Sequence, residues 1–177
     1  MTEFDLSECN CFAARKAARR LTQIYDARLA SCGIKSTQLV ILATINRKGE
    51  LSVNDLAQAI SLDRTTTGKN LKPMERDGYL KSIVSNSDRR GRKIFLTAKG
   101  EGVLARAFPF WKAANDEFER EHGKSFATEY RRILRETASW REKELSETIQ
   151  AGPEAQHAEV KHPRPVGREV PRRRKKS

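Results

Sequence analysis

Residues 52–97 read SVNDLAQAISLDRTTTGKNLKPMERDGYLKSIVSNSDRRGRKIFLT. Ser52 followed three residues later by Asp55 has the form of a capping box, with Asp in place of the usual Glu. It opens a helix over Val53 to Ile60. Ser61-Leu62 makes a tight turn, and Asp63 is a good N-cap for a second helix that ends near Asp77-Gly78. Leu80 to Ser85 carries Ile83 and Val84 and reads as a strand. Asn86-Ser87-Asp88 is turn material, and Lys93 to Leu96 returns as a second strand, which closes a hairpin. Helix, turn, helix, strand, basic tip, strand is the order of a winged helix-turn-helix.

The second helix divides into two faces. Thr67 or Gly68, Leu71 and Met74 recur at helical spacing and are expected to face the core. Thr65, Thr66, Lys69, Asn70 and Lys72 then fall mainly on the outer side. Threonine hydroxyls and Asn suit base edges, and Lys suits phosphates. At the hairpin tip, Arg89, Arg90, Arg92 and Lys93 place four cations within five residues. Arginine there suits a narrow minor groove, where the potential is most negative.

Outward from this core, residues 7–31 are helix-compatible and free of Gly and Pro, with Phe12, Leu21, Ile24 and Leu29 as an apolar stripe and Gly33 as a C-cap. Ser36 is expected to cap a short apolar helix over Leu39 to Ile45. On the other side, Thr97 caps a long helix running to about Glu121, with Pro109 expected to kink it and Gly123 to end it. A last helix spans about Ser125 to Gln150, with Phe126, Tyr130, Ile133, Leu134, Trp140, Leu145 and Ile149 as core or interface residues. The expected fold is therefore mainly α with a small β-hairpin: a winged helix-turn-helix over 34–98, flanked by dimerisation helices over 7–31 and 99–150. After Gly152 the chain is rich in Pro and ends PRRRKKS, so 151–177 is expected to be a disordered basic tail.

The 177 residues hold 35 Lys and Arg against 23 Asp and Glu, a net charge of +12. Such an excess attracts polyanions. No stretch reaches the roughly 18 apolar residues needed to span a bilayer, and the acidic MTEFDLSE start lacks the plan of a secretory signal. A cytoplasmic location is the expectation. No Gly-rich phosphate loop, nucleophile elbow or paired-carboxylate pattern is present, which argues against an enzyme. His122, His157 and His162 are scattered and the cysteines lack zinc spacing, so neither a metal nor a cofactor is expected.

The run Asp88-Arg89-Arg90-Gly91-Arg92-Lys93-Ile94-Phe95-Leu96-Thr97-Ala98-Lys99-Gly100 resembles the wing and following helix start of the MarR family (multiple antibiotic resistance regulators). Leu56 to Ile60 through Leu71 to Leu80 is similar to that family's helix-turn-helix, and the resemblance covers roughly 9–149. It implies a homodimer with intertwined N- and C-terminal helices. It also implies binding to pseudo-palindromic duplex DNA operators, usually as a repressor, and release by a small aromatic or carboxylic ligand or an oxidant. The ligand cleft would lie between the dimer helices and the winged domain, with Tyr25, Trp111 and Arg15 as candidate lining. Independently, Phe108, Phe110, Trp111, Trp140 and Ile149 are too many large apolar groups for the surface of a small monomer. The alternative reading is an architectural nucleic-acid-binding protein without an effector.

Cys9-Asn10-Cys11-Phe12 opens the first helix, where the helix dipole favours a thiolate, and Arg15 follows Cys11 by four residues. Cys11-Phe12, with Tyr25 fourteen residues on, resembles the reactive cysteine and one tyrosine partner of a hydroperoxide-sensing branch of the family; Ser36 stands in the place of the second tyrosine. Cys9 and Cys11 are thus either redox sensors or small residues at a subunit contact. Two residues apart on a helix, their side chains would point apart, so oxidation is expected to give a sulfenic acid, or a bond to another chain or to Cys32.

Overall fold

The computed structural model describes residues 5–84 and 92–139. Two units divide the chain, the first running to Leu134 and the second from Arg135. Of the second, only the end of the last helix lies among the described residues. The basic tail, Trp140, Leu145 and Ile149 fall outside them.

The elements are α1 (Asn10–Leu29), α2 (Ser36–Lys48), β1 (Leu51–Ser52), α3 (Val53–Ala59), α4 (Arg64–Arg76), β2 (Leu80–Val84), β3 (Arg92–Leu96), α5 (Ala98–His122) and α6 (Lys124–Ser139). The expected capping box is present: the Asp55 amide donates to Ser52 Oγ at 3.1 Å and the Ser52 amide to Asp55 Oδ2 at 3.3 Å. Gly33 (φ 70°) and Gly123 (φ 90°) sit in the left-handed half of backbone space at the ends of a helical turn and of α5. A side chain is strained there, so glycine ends these elements cheaply. Pro109 lies inside α5, which runs on through it.

Two expectations change. Lys35, not Ser36, is the N-cap of α2. The Ser36 amide donates to Asp26 Oδ1 at 2.6 Å, so a side chain of α1 satisfies a free amide that a local cap would otherwise serve. The sheet also has a third strand: β1 pairs antiparallel with β3, giving the order β1-β3-β2. In register, Leu51 faces Ile94, and across the hairpin Ser82 faces Ile94 and Val84 faces Arg92.

The core lies where α1 ends and where α2, α3, α4, the sheet and the start of α5 converge. Leu29, Ile41, Leu42, Leu56, Met74, Ile94 and Val103 are fully buried there. Each such side chain contributes about 1.5–3 kcal/mol. The ion pairs among the described residues are all partly solvated and are worth about 0–1 kcal/mol each. Packing therefore holds the winged unit together. By contrast α5 and α6 leave Phe108, Phe110, Trp111, Phe126, Ile133 and Leu134 exposed.

Candidate nucleic-acid interface

α4 begins at Asp63, whose carboxylate accepts the Thr66 amide at 2.8 Å and the Thr66 hydroxyl at 2.6 Å. These bonds, the hydroxyl's first, hold the Asp63 carboxyl below the ordinary aspartate range. Thr67 turns inward, buried, and its hydroxyl donates to the Asp63 carbonyl at 2.9 Å. Thr67, Leu71 and Met74 form the buried face. Gly68, the other candidate for that face, is half-buried. Thr65, Lys69 and Lys72 are exposed, while Thr66 and Asn70 are half-buried at the edge. The helix thus has the inward and outward faces its spacing implies. Thr66 spends its hydroxyl hydrogen on Asp63, so toward a partner it offers an acceptor. Sequence reasoning passed over Arg64, which is exposed at the first turn of α4 beside the outward residues. Its position directly after an N-cap Asp was the available signal.

The angle of α4 is fixed at both ends. Before it, Ser61 adopts φ 53°, and the Leu62 amide reaches back to the Ala57 carbonyl at 2.9 Å. After it, the start of α5 clamps the exit. The Thr97 hydroxyl donates to the Gly78 carbonyl at 2.7 Å and accepts the Gly100 amide at 3.1 Å. The Lys99 ammonium donates to the Asp77 carbonyl at 2.8 Å and lies 5.3 Å from the centre of the Tyr79 ring. Thr97-Ala98-Lys99-Gly100 is therefore a joint between the last helix turn of α4 and the long helix α5. Glu75 of α4 also accepts the Ser82 hydroxyl of β2, tying helix to hairpin.

In the hairpin, Arg92 is exposed at the outer end of β3. Arg89 and Arg90 lie outside the described residues. Lys93 differs from expectation: it pairs with Glu50, from the turn before β1, so its charge is partly spent inside the fold.

At the other end of the molecule, Cys9 precedes α1 as its N-cap, in extended conformation, and its Sγ accepts the Phe12 amide at 3.4 Å. Only Cys11 is helical, so the helical argument that the two thiols point apart does not apply to Cys9. Cys11 is exposed, and Cys32 is half-buried with its Sγ 3.7 Å from the Arg106 carbonyl. Tyr25 lies fourteen residues along α1 from Cys11, roughly 21 Å at about 1.5 Å per residue. The two cannot touch within one chain. The Tyr25 hydroxyl instead donates to Asn115 Oδ1 of α5 at 3.1 Å, and burial raises the phenol above its ordinary range.

Tyr25 also lines a pocket of about 600 Å³ between α1, α2 and α5. Phe108 and Trp111 supply aromatic walls, and Ser36, Asn46 and Glu101 supply polar groups. Arg15 is not part of its lining. It lies ten residues, about 15 Å, from Tyr25 along α1.

A capped helix with a buried inner face and a polar, cationic outer face, followed by a hairpin that a short earlier strand extends to three, defines a winged helix-turn-helix protein. The sequence profile described as the MarR family matches residues 34–91. The transcriptional regulator MosR of M. tuberculosis, solved in complex with DNA, is 35% identical over 75% of this chain and 95% of that one, with a TM-score of 0.69. The HTH-type transcriptional regulator TtmR of Methylorubrum extorquens is 31% identical over 52% of this chain; the match spans 48% of that relative, about half its length. The PcaV regulator of Streptomyces coelicolor shares the fold, at 20% identity, over 80% of this chain and 100% of its own, with a TM-score of 0.72. The chain belongs to the MarR family, a family of transcriptional regulators and not of enzymes.

Proposed function

We propose that the protein is a cytoplasmic, homodimeric, sequence-specific DNA-binding regulator, acting as a repressor that a small molecule or an oxidant releases from a pseudo-palindromic operator. The observation that carries this reading is the outward face of α4, with Arg64, Thr65, Lys69 and Lys72 exposed above a buried Thr67, Leu71 and Met74. That α4 presents this face in a chain 35% identical to a regulator solved with DNA supports base reading by Thr65, Thr66 and Asn70. Lys69, Lys72 and Arg92 then contact phosphates or the minor groove, together with Arg89 and Arg90 of the wing. The exposed aromatic and aliphatic groups of α5 and α6 support a dimer, whose two-fold symmetry matches half-sites about one helical turn apart. The pocket beside Tyr25 is the proposed effector site.

Selection of bound sequences from random duplex DNA tests this reading. Enrichment of a palindrome, bound by a dimer in sedimentation analysis, is the expected result. Equal affinity for all sequences would instead favour an architectural protein.

A second reading places oxidant sensing at Cys11, with Cys9 beside it. It is favoured by the exposure of Cys11 in the first turn of α1, next to a thiol already bonded to that turn's amide. Any Tyr25 contribution would come across the dimer. Mild peroxide should then release the operator and Cys11→Ser should abolish the response; unchanged binding after confirmed oxidation would remove this reading.

A further inference from the structure

The charge of the pocket between α1, α2 and α5 is opposite to that of the chain. The protein carries 35 Lys and Arg, yet among the described residues none lines this pocket. Apart from the Tyr25 phenol, its one ionisable lining group among the described residues is Glu101, in the first turn of α5. Among the described residues no cation pairs with that carboxylate.

Part of the donor capacity an anion would need is already spent. The N-terminus of α2 reaches the pocket through Ser36, and free amides at such an end usually attract anions. Here the Ser36 amide donates to Asp26 Oδ1 at 2.6 Å and the Lys35 amide to Gln38 Oε1 at 2.9 Å. Asp26 adds a second negative charge behind this end. The Tyr25 hydroxyl gives its hydrogen to Asn115, so it can only accept from the pocket side. What remains is a rim whose donors, the Ser36 hydroxyl, the Asn46 amide and the Trp111 indole, are all neutral, above apolar and aromatic walls, Phe108 and Trp111 among them. A volume of about 600 Å³ suits a molecule of two or three rings.

We infer that this pocket takes a small apolar or aromatic amine, bound as its ammonium with Glu101 as counter-ion, and discriminates against aromatic carboxylates. This rests on the effector reading above and narrows the small aromatic or carboxylic ligand that the resemblance implies to one of definite charge. A carboxylate in this site would exchange its water for neutral donors alone, with no cation among the described lining residues to offset its charge. An ammonium would meet the Glu101 carboxylate at one end of the pocket, with its apolar body packed along the Phe108 and Trp111 walls.

Calorimetric titration of the full chain with 2-naphthylmethylammonium, 2-naphthamide and 2-naphthoate isolates the head group, since the ring is constant. The ammonium should bind about tenfold more tightly than the carboxylate, with the amide between them. Glu101→Gln should erase the ammonium's advantage over the amide. Asn46→Lys, on an exposed position of α2, should erase the ammonium's advantage over the carboxylate by setting a cation beside Glu101. Equal or tighter binding of the naphthoate by the unmodified protein, or no saturable binding of any of the three, would overturn the inference. Fluorescence anisotropy with the selected operator separates the two readings. Operator binding without amine binding leaves the regulator standing and removes the amine pocket, and amine binding without operator binding does the reverse.

Discussion

Gly100 lies so close to Tyr79 that a Cβ built on it would stand 2.2 Å from the Tyr79 carbonyl oxygen. Gly100 is an ordinary helical residue, so what requires glycine here is this approach and not backbone conformation. The close contact lets Thr97 and Lys99 reach the last carbonyls of the α4 exit. Gly100→Ala must push α5 away from that exit and should cost about 1–3 kcal/mol, as overpacking does elsewhere. A lowered urea midpoint, with weaker DNA binding in the folded population, is the expected result. An unchanged midpoint would show that the joint gives freely.

Asp63 caps α4 with its carboxylate. Because its bonds to Thr66 hold the folded carboxyl below the ordinary range, its contribution is complete above the pKa of an unfolded aspartate, about 3.9. It is lost as pH falls through the lower folded value. Asp63→Ala should therefore lower the urea midpoint at pH 5, and the gap to the unmodified protein should narrow at pH 3. Asp63→Asn, which keeps an acceptor, should fall between them.

The pair between Lys93 and Glu50 makes two substitutions act in opposite directions. Glu50→Ala frees the Lys93 ammonium for phosphate and should raise DNA affinity and steepen the salt slope by about one ion. Arg92→Ala should weaken binding and flatten the slope by a similar amount, about 0.9. Anisotropy titrations at several salt concentrations give both slopes. Identical slopes in the two variants would place the base of the wing away from DNA.

On α4 the two residue types should separate by kind of effect. Replacing Thr65, Thr66 and Asn70 together by Ala should relax sequence preference by about 1–3 kcal/mol per lost base contact. Lys69→Ala, Lys72→Ala and Arg64→Ala should weaken binding to all duplexes nearly alike. Retained selectivity in the triple variant would show that another surface reads the operator.

What the sequence determined by itself is local chemistry. Ser52 with Asp55, Asp63 with Thr66, and Thr97 with Gly100 act over three residues, so they can be read along the chain and they mark where α3, α4 and α5 begin. The spacing of Thr67, Leu71 and Met74 fixed which side of α4 turns inward, and hence the outward set, for the same reason. What only the tertiary structure decided lies across longer separations. β1 is two residues long and exists because β3 offers it backbone partners, so no alternation could announce it. Asp26 serves the start of α2 from α1, Glu50 takes up Lys93 from forty-three residues away, and Gly100 meets Tyr79 across the joint. The pocket gathers Tyr25, Ser36, Asn46 and Glu101 from three helices, so its charge becomes legible only when packing brings them together. Capping and periodicity are set by neighbours a turn away, whereas the partner of a charge or a close backbone contact is set by which elements the buried core presses against one another.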